Sequence, residues 1–246
     1  MSKYASNTAV LGELGRFPVI NTARSLLIKY WLRLNAGTDN ILLNEAYNTC
    51  KQENLQWIQC VQHLLNENGF GDVWESPNSV NKNTFHKYFR QRLHDQYVQN
   101  WNTKINESSR FTMLQSIHND YKLQEYIVNI KNPNVREIFT RLRIDMNILC
   151  TSKIHGSQNV TNCFLCHNGN ETVDHFLLKC AKFNDIRTEN FEKFQRIDAS
   201  FINLDDNEKI MYILSAKCPE KCLVVCCNFV TGMYKQRESE NSLRPA

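Results

Sequence analysis

Three cysteines and one histidine in the second half of the chain stand at the spacing C-x2-C-x8-H-x4-C. They are Cys163, Cys166, His175 and Cys180. Zinc in proteins takes four sulfur and nitrogen ligands at the corners of a tetrahedron, and thiolate with imidazole supplies them. Two cysteines separated by two residues can be placed by one tight turn that directs both sulfur atoms at one point. The pattern therefore predicts a zinc site that closes residues 163–180 into a compact loop. The alternative is four unconnected residues in a cysteine-rich chain.

The residues between the four ligands predict the local backbone. Gly169 suits a reversal of the chain after the first two cysteines, and Thr172 is a suitable N-cap for a short helix. His175 then lies in the first turn of that helix, and Cys180 lies five residues later, at or just past its end. Because all four positions are filled by side chains, we expect a structural site rather than a catalytic one. His167, beside the second cysteine, is a rival ligand that we expect to face solvent.

The segment around the four ligands, residues 160–182, contains few large apolar side chains. A short segment of this kind buries too little apolar surface to order itself. Structural zinc sites contribute folding free energy directly. We therefore expect the ion to hold this segment in shape.

Six further cysteines among the 10 in the chain are interpreted as packing residues. Cys218, Cys222 and Cys226 lie four residues apart on one predicted helix, where each step of four residues climbs ~6 Å, too far for three ligands to share one ion. Cysteine is also a frequent core residue. The same interpretation applies to Cys50, Cys60 and Cys150.

Apolar residues recur at helical spacing along most of the chain. One such run begins after Pro18, passes through Leu27, Trp31 and Leu34, and stops at Gly37. Only 8 glycines and 5 prolines are present, too few for a sandwich or barrel with many tight turns. We predict a mostly α fold: helical domains with a small zinc-stapled β-turn or hairpin and a short helix. The predicted divisions are an N-terminal helical region at 1–75, a basic helical region at 82–160, the zinc-binding segment at 161–200 and C-terminal helices at 201–246, with the loop at 76–82 as a boundary.

Positive charge is concentrated in the middle of the chain. The net charge is +4, but residues 82–153 carry 12 basic and 6 acidic side chains, a net charge of +6, whereas each flank carries −1. An uneven basic segment indicates a polyanionic partner, although a solvated helix surface is an equally good explanation. The candidate phosphate-binding residues are Lys87, Arg90, Arg92, Lys104, Arg136, Arg141 and Arg143.

Aromatic residues accompany these cations on one predicted helix. Tyr88, Tyr97 or Trp101 would be able to stack on unpaired bases if their rings are exposed. The i, i+4 spacing of Phe85 and Phe89 favours core packing instead. We expect the same of Leu93.

Three stretches of the sequence carry a resemblance to a known family. SNTAVLGELGRFPV is similar to N-x-A-V-L-G-E-L-G-R-x-P, FRQRLHDQYVQNWNTKINESSR to a basic-aromatic helix, and REIFTRLRIDMNIL to an arginine-rich helix. The last leads into CFLCHNGNETVDHFLLKCAKFNDIR, with the C-x2-C-x8-H-x4-C spacing, E-T-x-x-H and a trailing arginine. Over roughly residues 5–200 the chain resembles the tail that follows the reverse transcriptase in polyproteins of non-LTR (LINE-type) retrotransposons.

The resemblance implies a fragment that helps to hold RNA or DNA during target-primed reverse transcription. No Tyr/Phe-x-Asp-Asp motif of a polymerase is present, and Asp205 with Asp206 reads as a helix cap. We expect a truncated or separately encoded tail, without polymerase or endonuclease. The compact retroviral knuckle has four residues before its histidine instead of eight, so its RNA contacts are not carried over.

Three interpretations are compatible with the sequence, and an enzyme is a weaker alternative to them. The first is a zinc-bearing module that binds RNA, DNA or both without catalysis. The others are a domesticated helical scaffold for protein partners and an element remnant without selected function. The sequence contains none of the patterns that would indicate an active site, such as Ser-His-Asp, a P-loop or paired carboxylates near a histidine.

The sequence also predicts where the protein resides. The N-terminus lacks the apolar core of a signal peptide, and no apolar run of 18 residues exists. We therefore expect a soluble intracellular protein, in the nucleus or the cytoplasm, whose cysteines stay reduced.

Overall fold

The structure, a computed structural model, describes residues 6–109, 111–117, 120–144, 149, 162–215 and 218–242. In these ranges the backbone is almost entirely helical, and pairing of the β type is limited to one antiparallel bridge between Asn162 and Asn170. The mostly α prediction is confirmed. The helices are α1 (Asn7–Leu14), α2 (Val19–Asn35), α3 (Ile41–Gln52), α4 (Gln56–Glu67), α5 (Gly71–Glu75), α6 (Lys82–Asn106), α7 (Thr112–Ile117), α8 (Glu125–Asn129), α9 (Pro133–Arg143), α10 (Asn184–Ile197), α11 (Asp206–Ser215) and α12 (Glu220–Ser242).

The chain divides into two compact units. One comprises Phe17–Asn102, and the other comprises the described residues of Met1–Arg16 and Thr103–Ala246. The division falls inside α6, after residue 102. The predicted boundary loop at 76–82 lies within the first of these units, where Pro77–Ser79 forms a short 3-10 turn.

In the Phe17–Asn102 unit, α2 packs against α4 and also makes side-chain contacts with α6, to which it runs antiparallel. Asn21 of α2 donates from its side chain to the carbonyl of Leu93 (3.3 Å), and one turn later Ser25 contacts the ring of His86 (2.9 Å). As the residue number increases along α2, the number of the contacted residue decreases along α6, so the two helices are antiparallel. The predicted stop of α2 at Gly37 is seen, because this glycine has a positive φ of 76° just beyond the helix. The core of the unit, which α2, α4 and α6 share, includes Ile28, Trp31, Leu32, Val61, Leu65, Phe85, Phe89 and Leu93.

The second unit gathers α7 to α12 around one apolar core. The long C-terminal helix α12 packs against α9, α10 and α11. Rings from three elements meet beneath it: Phe194 of α10, Phe201 in the following 3-10 turn, and Phe229 of α12 itself. Residues 201–246, which match nothing in the family resemblance, therefore contribute a large part of this core.

A buried ion pair joins α1 to α9 inside the second unit. Arg143 Nε and Nη2 donate to the two carboxylate oxygens of Glu13 at 2.9 and 3.0 Å, and Nη1 donates to the carbonyl of Leu214 (3.0 Å). The guanidinium also lies 4.6 Å from the centre of the Tyr126 ring. Both charges are removed from water, with Arg143 0% and Glu13 2% exposed. The structure therefore contradicts the expectation that Arg143 contacts phosphate, because its guanidinium is fully buried and hydrogen-bonded inside the protein.

The ion pair brings together two of the stretches that carry the family resemblance. Glu13 belongs to the ELGR stretch and Arg143 to the arginine-rich helix. Gly15 ends α1 with a positive φ of 58°, and a Cβ there would lie 2.4 Å from the backbone nitrogen of Leu123. The carbonyl of Glu13 accepts from the backbone N–H of Gln124 at 3.0 Å. The ELGR stretch is thus a packing motif that docks α1 on the segment before α8.

Within the described part of the chain, the helices are too short or too polar to traverse a lipid bilayer.

We predict that Arg143→Met destabilises the second unit by about 3–5 kcal/mol, because Glu13 is left as a buried charge without a partner. The matched control is Arg141→Met on the same helix, where the exposed pair with Glu137 contributes about 0–1 kcal/mol. Amide hydrogen exchange of α9 measures both changes. Equal effects of the two variants would contradict the role assigned to Arg143.

Candidate metal centre

The four predicted ligands converge on one point. The Sγ atoms of Cys163 and Cys180 are 3.8 Å apart, and Cys166 Sγ lies 3.3 Å from His175 Nε2. All four ligand atoms lie within 4.8 Å of one another. A tetrahedral ion with bonds of about 2.3 Å to sulfur and about 2.0 Å to nitrogen separates two sulfurs by ~3.8 Å and a sulfur from a nitrogen by ~3.5 Å. The cluster can therefore hold one metal ion.

A tight turn presents the first two cysteines. The backbone N–H of Cys163 donates to the carbonyl of Gly169 (2.8 Å), and the N–H of His167 donates back to the carbonyl of Cys163 (2.8 Å). His167 and Gly169 both have positive φ values, 54° and 74°, which reverse the chain within a few residues. The side chain of His167 is exposed, as expected, and Cys166 is the residue directed into the cluster.

A π-helical turn presents the other two ligands. It spans His175–Lys179, and the N–H of Cys180 donates to the carbonyl of His175 at 2.7 Å, five residues back. Thr172 caps the start, since its hydroxyl accepts from the N–H of His175 at 3.3 Å. In an α-helix, residues five apart point to different sides. The wider turn brings His175 and Cys180 to the same side, and Cys180 itself has left the helix in an extended conformation.

Burial shifts the pKa of three of the four ligand side chains. It raises the pKa of the Cys163 thiol, and it raises the pKa of Cys180 to about 12. Burial also lowers the pKa of His175, which keeps the imidazole neutral and its nitrogen lone pair available. A metal ion that binds at neutral pH must therefore displace protons from the buried thiols.

Comparisons with protein-family models, with curated proteins and with solved structures found no match to this chain. The resemblance to retrotransposon tails stays a prediction from three stretches of sequence. The metal centre is supported by the geometry of its four ligands.

A buried carboxylate anchors the metal loop to α12. Arg237 donates to both oxygens of Glu171 at 2.7 and 2.9 Å. Its guanidinium also lies 4.9 Å from the centre of the Phe164 ring, inside the C-x2-C turn. One arginine thus holds the loop on both sides of the cluster. The sequence marks Glu171 only through E-T-x-x-H, and it gives no sign of Arg237, which lies 66 residues away.

A second arginine holds the end of the π-helical turn. Arg187, the trailing arginine of the family pattern, donates from Nε to the carbonyl of Leu177 (3.1 Å) and from Nη2 to that of Cys180 (2.9 Å). Asn184 accepts from its Nη1 (2.7 Å). These bonds fix the peptide that carries the last ligand, and they place a cation beside a site rich in thiolate. Partners of this kind orient the ligands of metal sites.

The metal segment is better packed than its sequence suggests. Leu165, Val173, Phe176 and Leu177 are all buried in the same core as α9, α10 and α12. The expectation that this segment cannot order itself through its own few apolar side chains stays a prediction. Its buried apolar residues pack against neighbours that are distant in sequence, and a bound ion would add to that support.

Most of the other cysteines pack as expected. Cys222 and Cys226 are buried in the core of the second unit, and Cys222 accepts a hydrogen bond from the Tyr212 hydroxyl (2.9 Å). Cys218 Sγ lies 3.9 Å from Cys226 Sγ. Cys60 is the exception, because it is exposed. Cys50 is half-buried, and Cys150 lies outside the described residues.

The candidate phosphate-binding residues fall into two groups besides the buried Arg143. Arg136 is half-buried and donates to the carbonyls of Ile127 and Ile130, and Arg141 pairs with Glu137. The exposed group lies on α6 and consists of Lys87, Arg90, Arg92 and Lys104.

The aromatic residues of α6, and Leu93 with them, also divide into buried and exposed side chains. Phe85, Phe89 and Leu93 are buried as predicted, and so is Trp101. Tyr97 is half-buried against the ring of Phe17. Tyr88 is the ring that reaches solvent, with 65% of its surface exposed.

We predict that Cys166→Ser lowers the metal content of the purified chain from about one ion to near zero, because the hydroxyl of serine is a poor zinc ligand. The control is Cys60→Ser, an exposed cysteine far from the cluster in sequence, which keeps its metal. Elemental analysis by mass spectrometry measures both. Full metal content in the Cys166 variant would contradict the site.

We also predict that Arg187→Gln weakens zinc binding about 10- to 100-fold, the usual effect of losing a group that orients a ligand. Arg196→Gln is the matched control, because Arg196 lies on the same helix and pairs with Glu192 at the surface. Competition with a chromophoric chelator measures both affinities. If Arg187→Gln and Arg196→Gln bind zinc equally well, the arginine does not support the site.

Proposed function

We propose that this chain is a non-catalytic, zinc-bearing module that binds nucleic acid. We further propose that it is the tail of a non-LTR-type reverse transcriptase, present without the polymerase and endonuclease. The observation that carries the proposal is the cluster of four ligand atoms within 4.8 Å, built from the residues of the family's Cys-His pattern.

The donor set supports zinc as the metal. Three thiolates and one imidazole in a compact, tetrahedrally sized cluster are typical of structural zinc. With four side chains as ligands, no position is left for a water molecule, so hydrolysis at the metal is not part of the proposal. The ion would instead fix the turn and the π-helical turn against α12.

The exposed cations of α6 support nucleic acid as the partner. Lys87, Arg90 and Arg92 lie within two helical turns, and Tyr88 is exposed among them. None of the three cations has an ion-pair partner among the residues that the structure describes. Cations without partners neutralise phosphates at little cost, and an accessible ring can stack on an unpaired base.

A scaffold for protein partners is the second candidate, and one observation favours it. Ile41 and Leu42, at the start of α3, are 75% and 81% exposed. Adjacent apolar side chains with this exposure are common at protein interfaces. Binding to another protein that survives nuclease treatment and high salt would favour this function over the first.

We predict that the full chain binds single-stranded RNA or DNA with an affinity that falls steeply with salt, by about 0.7 in log–log slope for each phosphate neutralised. Lys87→Gln combined with Arg92→Gln reduces that slope by about 1.4, because two contacts are lost. Fluorescence anisotropy with a labelled oligonucleotide across a salt series gives both values.

The control for this experiment removes the same charge elsewhere. Lys221→Gln combined with Lys235→Gln changes two exposed lysines of α12 and should leave affinity and slope unchanged. An affinity that does not change with salt concentration, or no binding by the unaltered chain, contradicts the proposed function.

A further inference from the structure

A cationic groove lies between α2 and the start of α6, within the Phe17–Asn102 unit. Its volume is about 400 Å³, and its charged lining residues are Lys29, Arg33 and Lys82. The remaining lining is apolar or uncharged, with Leu26 and Tyr30 prominent and no acidic residue. The sequence analysis singled out none of these residues, because α2 lies in a segment whose net charge is −1.

The antiparallel packing of the two helices explains why the cations meet. Lys29 and Arg33 are four residues apart and so share one face of α2. On α6, Lys82, His86 and Arg90 follow one another at the same interval of four. The contact between Ser25 and His86 at 2.9 Å joins the two rows side by side.

The electrostatic surroundings of the groove are positive. The pKa of His86 is lowered, first by burial and then by the charges of Lys29 and Arg90. Lys29, Arg33 and Lys82 are exposed, and in the described part of the chain none of them is ion-paired. Three cations gathered without a counter-charge repel one another, so a polyanion that enters the groove relieves that repulsion.

The size and lining of the groove indicate which polyanion fits. Lys29 and Arg33 are separated by a rise of ~6 Å along α2. Two phosphates of one strand, at about 3.4 Å each, span a similar length. A volume of about 400 Å³ suits a small ligand, such as one nucleotide of a strand. Tyr30 is 44% exposed beside the cations, and its ring offers a surface on which a base can stack.

We propose that this groove binds the phosphodiester backbone of single-stranded nucleic acid, with Lys29, Arg33 and Lys82 on the phosphates and Tyr30 against one base. The assignment rests on the proposed function, which it deepens by naming a second set of contacts and the form of the strand. The shared chemistry is the strand phosphate, which both RNA and DNA supply.

The test compares oligonucleotide binding by the full chain and by variants of the groove. Lys29→Gln, Arg33→Gln and Lys82→Gln combined should weaken binding of a single-stranded 20-mer at least tenfold and reduce the salt slope by about 2. Tyr30→Leu, which keeps an apolar side chain in the groove, should weaken binding about tenfold at all salt concentrations, because stacking is lost while the phosphate contacts remain. Lys51→Gln, Lys221→Gln and Lys235→Gln combined is the control of equal charge and should bind as the unaltered chain does.

The outcomes separate this proposal from the one on which it rests. If the unaltered chain binds single strands but the groove variant matches the control, the groove is overturned and the proposed function stands. If the unaltered chain binds no nucleic acid, both are overturned. Equal affinity for a duplex, or for a polyglutamate of matched charge, also overturns the groove. Matched RNA and DNA strands show which of the two supplies the phosphates, and a circular dichroism spectrum unchanged by the substitutions shows that the variants are folded.

Discussion

The candidate metal centre around Cys163 depends on one electrostatic constraint: three thiols in a cluster whose ligand atoms lie within 4.8 Å of one another cannot all ionise unless a cation lies among them. Two of the three sulfur atoms are buried, which raises the cost of charging them further. A bound dication would neutralise the thiolates and replace the hydration that they lose. The turn at Cys166 and the π-helical turn before Cys180 bring the four ligand atoms together.

Two buried arginine–carboxylate pairs place this centre in its unit. Arg237 attaches the metal loop to α12 through Glu171, and Arg143 attaches α1 to α9 through Glu13. Buried pairs add little net stability compared with apolar packing, but breaking one is costly, so they specify which segments meet. Glu171 of the first pair and both partners of the second, Arg143 and Glu13, belong to stretches that resemble the retrotransposon family. These motifs therefore record packing contacts as well as the metal ligands.

The sequence predicts the local features and misses those that depend on distant residues. The four ligands, the cap at Thr172 and the stop at Gly37 follow from spacing and from the chemistry of single residues, and all are seen. The π-helical turn is not predicted, because residues five apart point to different sides of the ordinary α-helix that the sequence pattern indicates. Arg143 has the same sequence appearance as an exposed cation, and only the burial of Glu13 beside it shows otherwise. The groove on α2 is missed because its charges are separated in sequence and meet through helix packing.

We propose that the metal centre and the basic surfaces have complementary roles: a metal ion orders one helical unit, and exposed cations bind a polyanion. Zinc-edge X-ray absorption of the chain purified without added metal tests directly whether the four side chains bind an ion. We expect zinc to be coordinated by three sulfur atoms at about 2.3 Å and one nitrogen at about 2.0 Å. A shell of oxygen and nitrogen alone, or a metal-free chain whose residues 163–180 resist amide exchange as well as α10 does, would contradict it.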